Sequence, residues 1–116
     1  MNKCKKALLI ICVFVLLVGC SKSINTGESM EFNIEPGYNF TVDYEQNENN
    51  DFIVNVSNFE GGAYKILVFY EDGEIIISDE LSEDTEYLVE SKGSNKFEIC
   101  ILNVMGTDIT GTLSIN

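Results

Sequence analysis

Apolar and polar residues alternate along most of this chain with a period of two. Met30, Phe32 and Ile34 share one face, and Glu31 and Asn33 the other. Phe40, Val42 and Tyr44 repeat the pattern against Thr41 and Asp43, and Phe52, Val54 and Val56 repeat it against Asn55 and Ser57. Successive side chains of a strand point to opposite sides, so each of these runs predicts a half-buried β-strand. Tyr64 to Tyr70 is apolar on both faces apart from Lys65 and predicts a central strand. Ile75-Ile76-Ile77, Tyr87 with Val89, Phe97 with Ile99 and Ile101, and Ile109 with Leu113 and Ile115 supply the remaining strands. No ten-residue stretch after residue 28 shows a capped 3.6-residue period.

The breaks between runs carry turn chemistry. Pro36-Gly37 predicts a turn in which Pro fixes φ and Gly takes φ > 0. Glu60-Gly61-Gly62 interrupts the chain, and Lys92-Gly93-Ser94-Asn95 and Met105-Gly106-Thr107-Asp108 read as turns. Asp72-Gly73 between two β-rich runs predicts a tight hairpin with φ > 0 at both residues. Asp79 to Asp84 reads as an acidic connection. About eight short strands at this spacing predict an all-β fold, a small antiparallel β-sandwich of jelly-roll or Ig-like type.

The first twenty residues follow a different rule. Lys3, Lys5 and Lys6 precede an uncharged apolar run from Ala7 to Val18. That run is shorter than the roughly 20 residues of a membrane-spanning helix and matches the signal-peptide core, an N-terminal signal helix. It ends in Leu17-Val18-Gly19-Cys20, which resembles the lipobox of bacterial lipoproteins. The resemblance implies that the Cys20 thiol carries a diacylglyceryl group and that a peptidase cuts just before it. Residues 1–19 are then the signal peptide, 20–28 a lipidated polar tether, and 29–116 the sandwich. The protein is expected to be anchored by lipid on the extracytoplasmic face of the cell membrane, since two or three acyl chains hold stably.

Cleavage changes the charge and the cysteine count. After residue 19 four lysines face nineteen carboxylates, a side-chain charge of −15. Such a surface repels nucleic acid and suits cations, basic partners or simple solubility. Cys4 and Cys12 leave with the signal peptide and Cys20 takes the lipid, so Cys100 remains alone, mid-strand among apolar neighbours. The chain has no histidine, which removes Ser-His and Cys-His catalysis, and the reading is of a non-enzyme.

The order Phe32-Asn33-Ile34-Glu35-Pro36-Gly37, Asn39-Phe40-Thr41-Val42, Tyr64-Lys65-Ile66-Leu67-Val68 and Phe97-Glu98-Ile99-Cys100-Ile101 resembles bacterial pre-peptidase C-terminal domains. The resemblance implies a small exported jelly-roll-like sandwich. The family's Gly-x-Tyr before the penultimate strand is replaced here by Gly93-Ser94-Asn95-Lys96-Phe97.

Two ligand classes have candidate residues. Calcium takes six to eight oxygens from carboxylates and carbonyls on loops. Asp43, Glu45, Glu48 and Asp51 form one candidate set, and Asp79, Glu80, Glu83, Asp84 and Glu86 another. Glycans stack on exposed aromatic rings, and Tyr38 beside Pro36-Gly37 is the candidate. No other cofactor is expected. The function expected from these features is a non-catalytic binding or structural module of the cell envelope. A calcium-dependent or glycan-binding adhesion or sensor module is the alternative, and its partner is an envelope protein or a glycan.

Overall fold

The structure, a computed structural model, describes residues 22–116. Residues 1–21, with the expected signal peptide and Cys20, lie outside the described residues. Nine strands follow in order: β1 (Lys22–Ile24), β2 (Ser29–Ile34), β3 (Asn39–Glu45), β4 (Phe52–Glu60), β5 (Tyr64–Tyr70), β6 (Ile75–Leu81), β7 (Thr85–Val89), β8 (Lys96–Asn103) and β9 (Ile109–Ile115).

They form two sheets, of order β1-β3-β8-β5-β6 and β2-β9-β4-β7. Without β1 this is the strand order of a jelly roll rather than of an Ig domain: β9 enters between β2 and β4, and β8 between β3 and β5. The inward residues are the ones the alternation selects. Phe32, Ile34, Val42, Val54, Val56, Ile66, Val68, Ile99, Ile101, Ile109, Leu113 and Ile115 are all buried between the sheets. One end of this core is aromatic, with the ring centroids of Tyr44 and Phe52 4.6 Å apart and those of Phe52 and Phe97 4.7 Å apart.

Three expectations need correction. The polar tether expected over residues 20–28 contains β1. It pairs parallel to β3, with Lys22 opposite Val42, Ser23 opposite Asp43 and Ile24 opposite Tyr44. Ile24 is its one large apolar side chain, and burying it to 1% exposure holds an otherwise polar segment in the sheet. Further anchors follow at once. The Thr26 and Tyr44 hydroxyls are 2.6 Å apart, and the Gly27 N–H donates to the Ile115 carbonyl at 2.7 Å.

Asp79, Glu80 and Leu81 belong to β6 rather than to a connection, because an edge strand with one side in water tolerates charge. Finally, Asp72-Gly73 is not a two-residue turn with both φ positive. Gly73 alone has positive φ, +92°, and its N–H bonds the Tyr70 carbonyl at 2.9 Å. The Glu74 N–H donates to Asp72 Oδ1 at 2.9 Å. This is a three-residue loop in which the glycine closes a type I turn, and the register slips by one residue between Val68 and Phe69. The turn with two positive φ values is instead Lys92-Gly93, at +48° and +83°.

Pro36-Gly37 folds as expected. The Tyr38 N–H donates to the Glu35 carbonyl at 3.1 Å, and Gly37 has φ +83°.

Candidate functional site

The two outer faces of the sandwich differ. On the four-stranded sheet, Asn33, Thr110, Thr112, Ser114, Asn55 and Ser57 present short polar side chains. On the five-stranded sheet, the outward rows are Ser23–Asp43–Glu98–Phe69 and Thr41–Cys100–Leu67. A shallow depression of about 710 Å³ opens on this face at the Glu45 end of β3. Its lining includes Ser23 and Asn25 at the β1 edge, Asp43, Glu45 and Glu98 across β3 and β8, and Phe69, Glu71 and Lys96. Lys96 Nζ lies 3.7 Å from Glu71 Oε2. The depression combines an apolar patch with carboxylates.

Asp43 and Glu98 stand directly opposite each other across β3 and β8. Burial raises the Glu98 pKa above its ordinary 4.5, and the Asp43 charge adds to the rise. A raised carboxyl pKa means that the folded state binds the proton more tightly than the unfolded one. The stabilisation is complete below the unfolded pKa and disappears as pH rises through the folded pKa. Glu98→Gln is therefore expected to raise the melting midpoint at pH 7 by on the order of 2 °C, after allowance for solvent screening, and to change nothing near pH 3. Melting curves at the two pH values check this.

Cys100 lies on the same face but is only 9% exposed. Burial pushes its thiol up to about 11, against a lowering contribution from the Thr41 hydroxyl, which donates to Sγ at 3.5 Å. At pH 8 such a thiol is ionised to only about one part in a thousand, so it is a poor nucleophile.

The calcium candidates do not converge. Asp51 accepts from the Ser91 N–H at 3.0 Å, and Glu48 accepts from Asn50 Nδ2 at 3.3 Å. Asp43 and Glu45 point outward from β3. In the second set, Asp79 accepts from the Tyr87 hydroxyl at 2.6 Å. Asp84 caps the irregular end of β4 by accepting from the Asn58 and Phe59 N–H groups at 3.3 and 2.9 Å. Among the described residues no three carboxylates or cysteines gather as a metal site would require. Closeness in sequence does not bring these acids together, and the fold uses two of them, Asp51 and Asp84, to hold its own backbone.

Tyr38 is half-buried against the core instead of standing free as a stacking platform. Tyr44 and Tyr64 are buried, and the Tyr64 hydroxyl donates to the Glu83 carbonyl at 2.7 Å. Burial, with Tyr87, Asp84 and Glu83 nearby, pushes the Tyr64 hydroxyl above its ordinary pKa. The Tyr70 hydroxyl donates to the Glu90 carbonyl at 3.2 Å. The tyrosines fasten strands and loops together.

Two polar residues with structural importance were not evident from alternation. Ser91 is buried, with its hydroxyl donating to the Asn49 carbonyl at 2.7 Å. Asn103 is buried at an inward position of β8. Its Nδ2 donates to the carbonyls of Ile34 at 2.8 Å and Thr107 at 2.7 Å, and its Oδ1 accepts from the Met105 N–H at 3.1 Å. The one hint in the sequence is that an asparagine occupies the next inward position after Phe97, Ile99 and Ile101.

No protein-family model matches the chain, and no curated protein matches it. Solved structures do. The pre-peptidase C-terminal domain of a collagenase from Bacillus anthracis is similar over 83% of this chain and 94% of that one, with a TM-score of 0.67 and 11% identity. The periplasmic g-type lysozyme inhibitor PliG of Salmonella Typhimurium aligns over 82% of this chain and 98% of its own, with a TM-score of 0.49 and 15% identity. PliG of Aeromonas hydrophila aligns with a TM-score of 0.46 and 13% identity, over 83% of this chain and 99% of that one. The likeness to the collagenase domain is one of fold. It matches the strand pattern that resembles that domain class in the sequence. Among the described residues no helix is long and apolar enough to cross a membrane.

Proposed function

We propose that this chain is a bacterial lipoprotein, acylated on Cys20 and cut before it. The jelly-roll domain is held on the extracytoplasmic face of the membrane as a non-catalytic binding or structural module. The observation that carries the reading is the lipobox Leu17-Val18-Gly19-Cys20, which follows three lysines and a short apolar run. A non-catalytic role is supported by the absence of histidine and by the high pKa of the Cys100 thiol. The calcium and glycan alternatives gain no geometric support from Asp43, Glu45, Glu48 and Asp51 or from Tyr38.

Metabolic labelling with a palmitate analogue tests the anchor. The wild-type protein is expected to incorporate label, to fractionate with membranes and to yield a mature amino terminus at modified Cys20. Cys20→Ser is expected to lose all three. Label-free wild-type protein, or a Cys20→Ser variant that stays with membranes, would overturn the reading.

A further inference from the structure

Almost no chain separates Cys20 from the folded domain. Two residues span at most about 7 Å, so an acylated Cys20 holds Lys22 within that distance of the lipid surface. Lys22 is not free to swing, because β1 is in register with β3, Ile24 is buried, and Thr26 and Gly27 are bonded to the body of the fold. The strands β1 and β3 run parallel, so β1 leads away from the Asn39 end of β3 and toward its Glu45 end. The N-terminal end of β1, at Lys22, is therefore its end toward Asn39.

Asn39 pairs with Leu102, and the loop after β8 follows directly. That loop and the Pro36-Gly37 turn are joined through Asn103. Its side chain reaches Ile34 and Thr107, and its backbone bonds Gly37 and Tyr38. The tip of the loop, Val104-Met105-Gly106-Thr107, carries no charge. Val104 is 40% and Met105 50% exposed. The other large apolar side chains exposed among the described residues, Ile75 and Leu88, lie toward the opposite end on the β6 and β7 edges.

We propose that this end of the sandwich rests on the lipid surface, with Val104 and Met105 entering the interface, while the loops at residues 46–51, 71–74 and 90–95 point away from the membrane. The inference rests on the lipid anchor at Cys20 proposed above. The anchor keeps the tip at high effective concentration next to the bilayer, so a small apolar contact suffices to orient the domain. The depression at the Glu45 end of β3 is then turned outward, toward partners in the envelope.

The chain has no tryptophan, so a single one reports position. Lipidated mature protein carrying Met105→Trp or Asn49→Trp is reconstituted into phosphatidylcholine vesicles containing brominated phosphatidylcholine. Val104→Trp replaces Met105→Trp if the latter lowers the melting midpoint. Quenching at position 105 is expected to exceed that at position 49 by at least about two-fold. A flexible insert of about ten Gly and Ser residues between Ser21 and Lys22 is expected to shrink the difference. Protein that floats with the vesicles but shows equal or reversed quenching overturns the orientation and leaves the anchor standing. Protein that does not float refutes the anchor, and the orientation with it.

Discussion

Gly61→Ala is expected to destabilise the domain by about 4 kcal/mol, the sum of backbone strain and overpacking at about 2 kcal/mol each. Gly61 has φ +133°, a conformation that side-chain-bearing residues rarely adopt. A Cβ built there meets Ile109 Cγ2 at 2.7 Å and the Asp108 carbonyl oxygen at 2.9 Å. Neither neighbour can yield, since Ile109 is fully buried and the second contact is backbone. For a domain of this size the melting midpoint should fall by roughly 15–30 °C. Thermal denaturation of the domain, residues 22–116, measures it. Gly62→Ala is the milder comparison: its Cβ meets Met105 Cγ at 3.0 Å, Met105 Cβ at 3.1 Å and Thr107 Oγ1 at 3.7 Å on a half-exposed loop, and the expected cost is about 1–2 kcal/mol. Equal effects at the two positions would show that the Glu60–Gly62 segment relaxes freely.

Asn103→Ala should cost about 3 kcal/mol. Three side-chain hydrogen bonds disappear: the Ile34 carbonyl loses its partner in a buried setting, and the Thr107 carbonyl and the Met105 N–H lose theirs in part-buried ones, at about 1 kcal/mol each. The expected fall in melting midpoint is roughly 12–24 °C. Asn103→Asp is no rescue at neutral pH, because it loses both donors and places a charge beside two carbonyl oxygens. A loss of less than about 1 kcal/mol for alanine would mean that water replaces the side chain without penalty. Since Asn103 ties the Val104–Thr107 tip to the Pro36-Gly37 turn, amide exchange in that tip should rise in the variant.

How much of this was legible in the sequence depends on the range of the interaction. The inward sets of β2, β3, β4, β8 and β9 follow from alternation, because pleating is a local property. Pro36-Gly37 was readable for the same reason. Asp72-Gly73 was readable as a hairpin but not as a particular turn, since the register slip in β6 that selects the three-residue loop depends on pairing with β5. The candidate site was less legible. Asp84 and Asp51 looked like loop carboxylates available to calcium, yet their partners, the Phe59 and Ser91 N–H groups, are 25 and 40 residues away. Tyr38 looked exposed beside a turn, and packing against the core half-buries it.

The sequence by itself determined the all-β class, the two faces of the alternating strands, the acidic composition and the exclusion of histidine-based catalysis. These depend on residue identity and on spacing of a few positions. Tertiary structure alone decided the jelly-roll order, because pairing β2 with β9 and β3 with β8 joins residues more than fifty positions apart, and alternation is the same for any partner. It also decided that Lys22–Ile24 is a strand instead of a tether. One buried isoleucine and three paired residues outweigh a polar composition, and that short piece of edge strand leaves only Ser21 between Lys22 and Cys20.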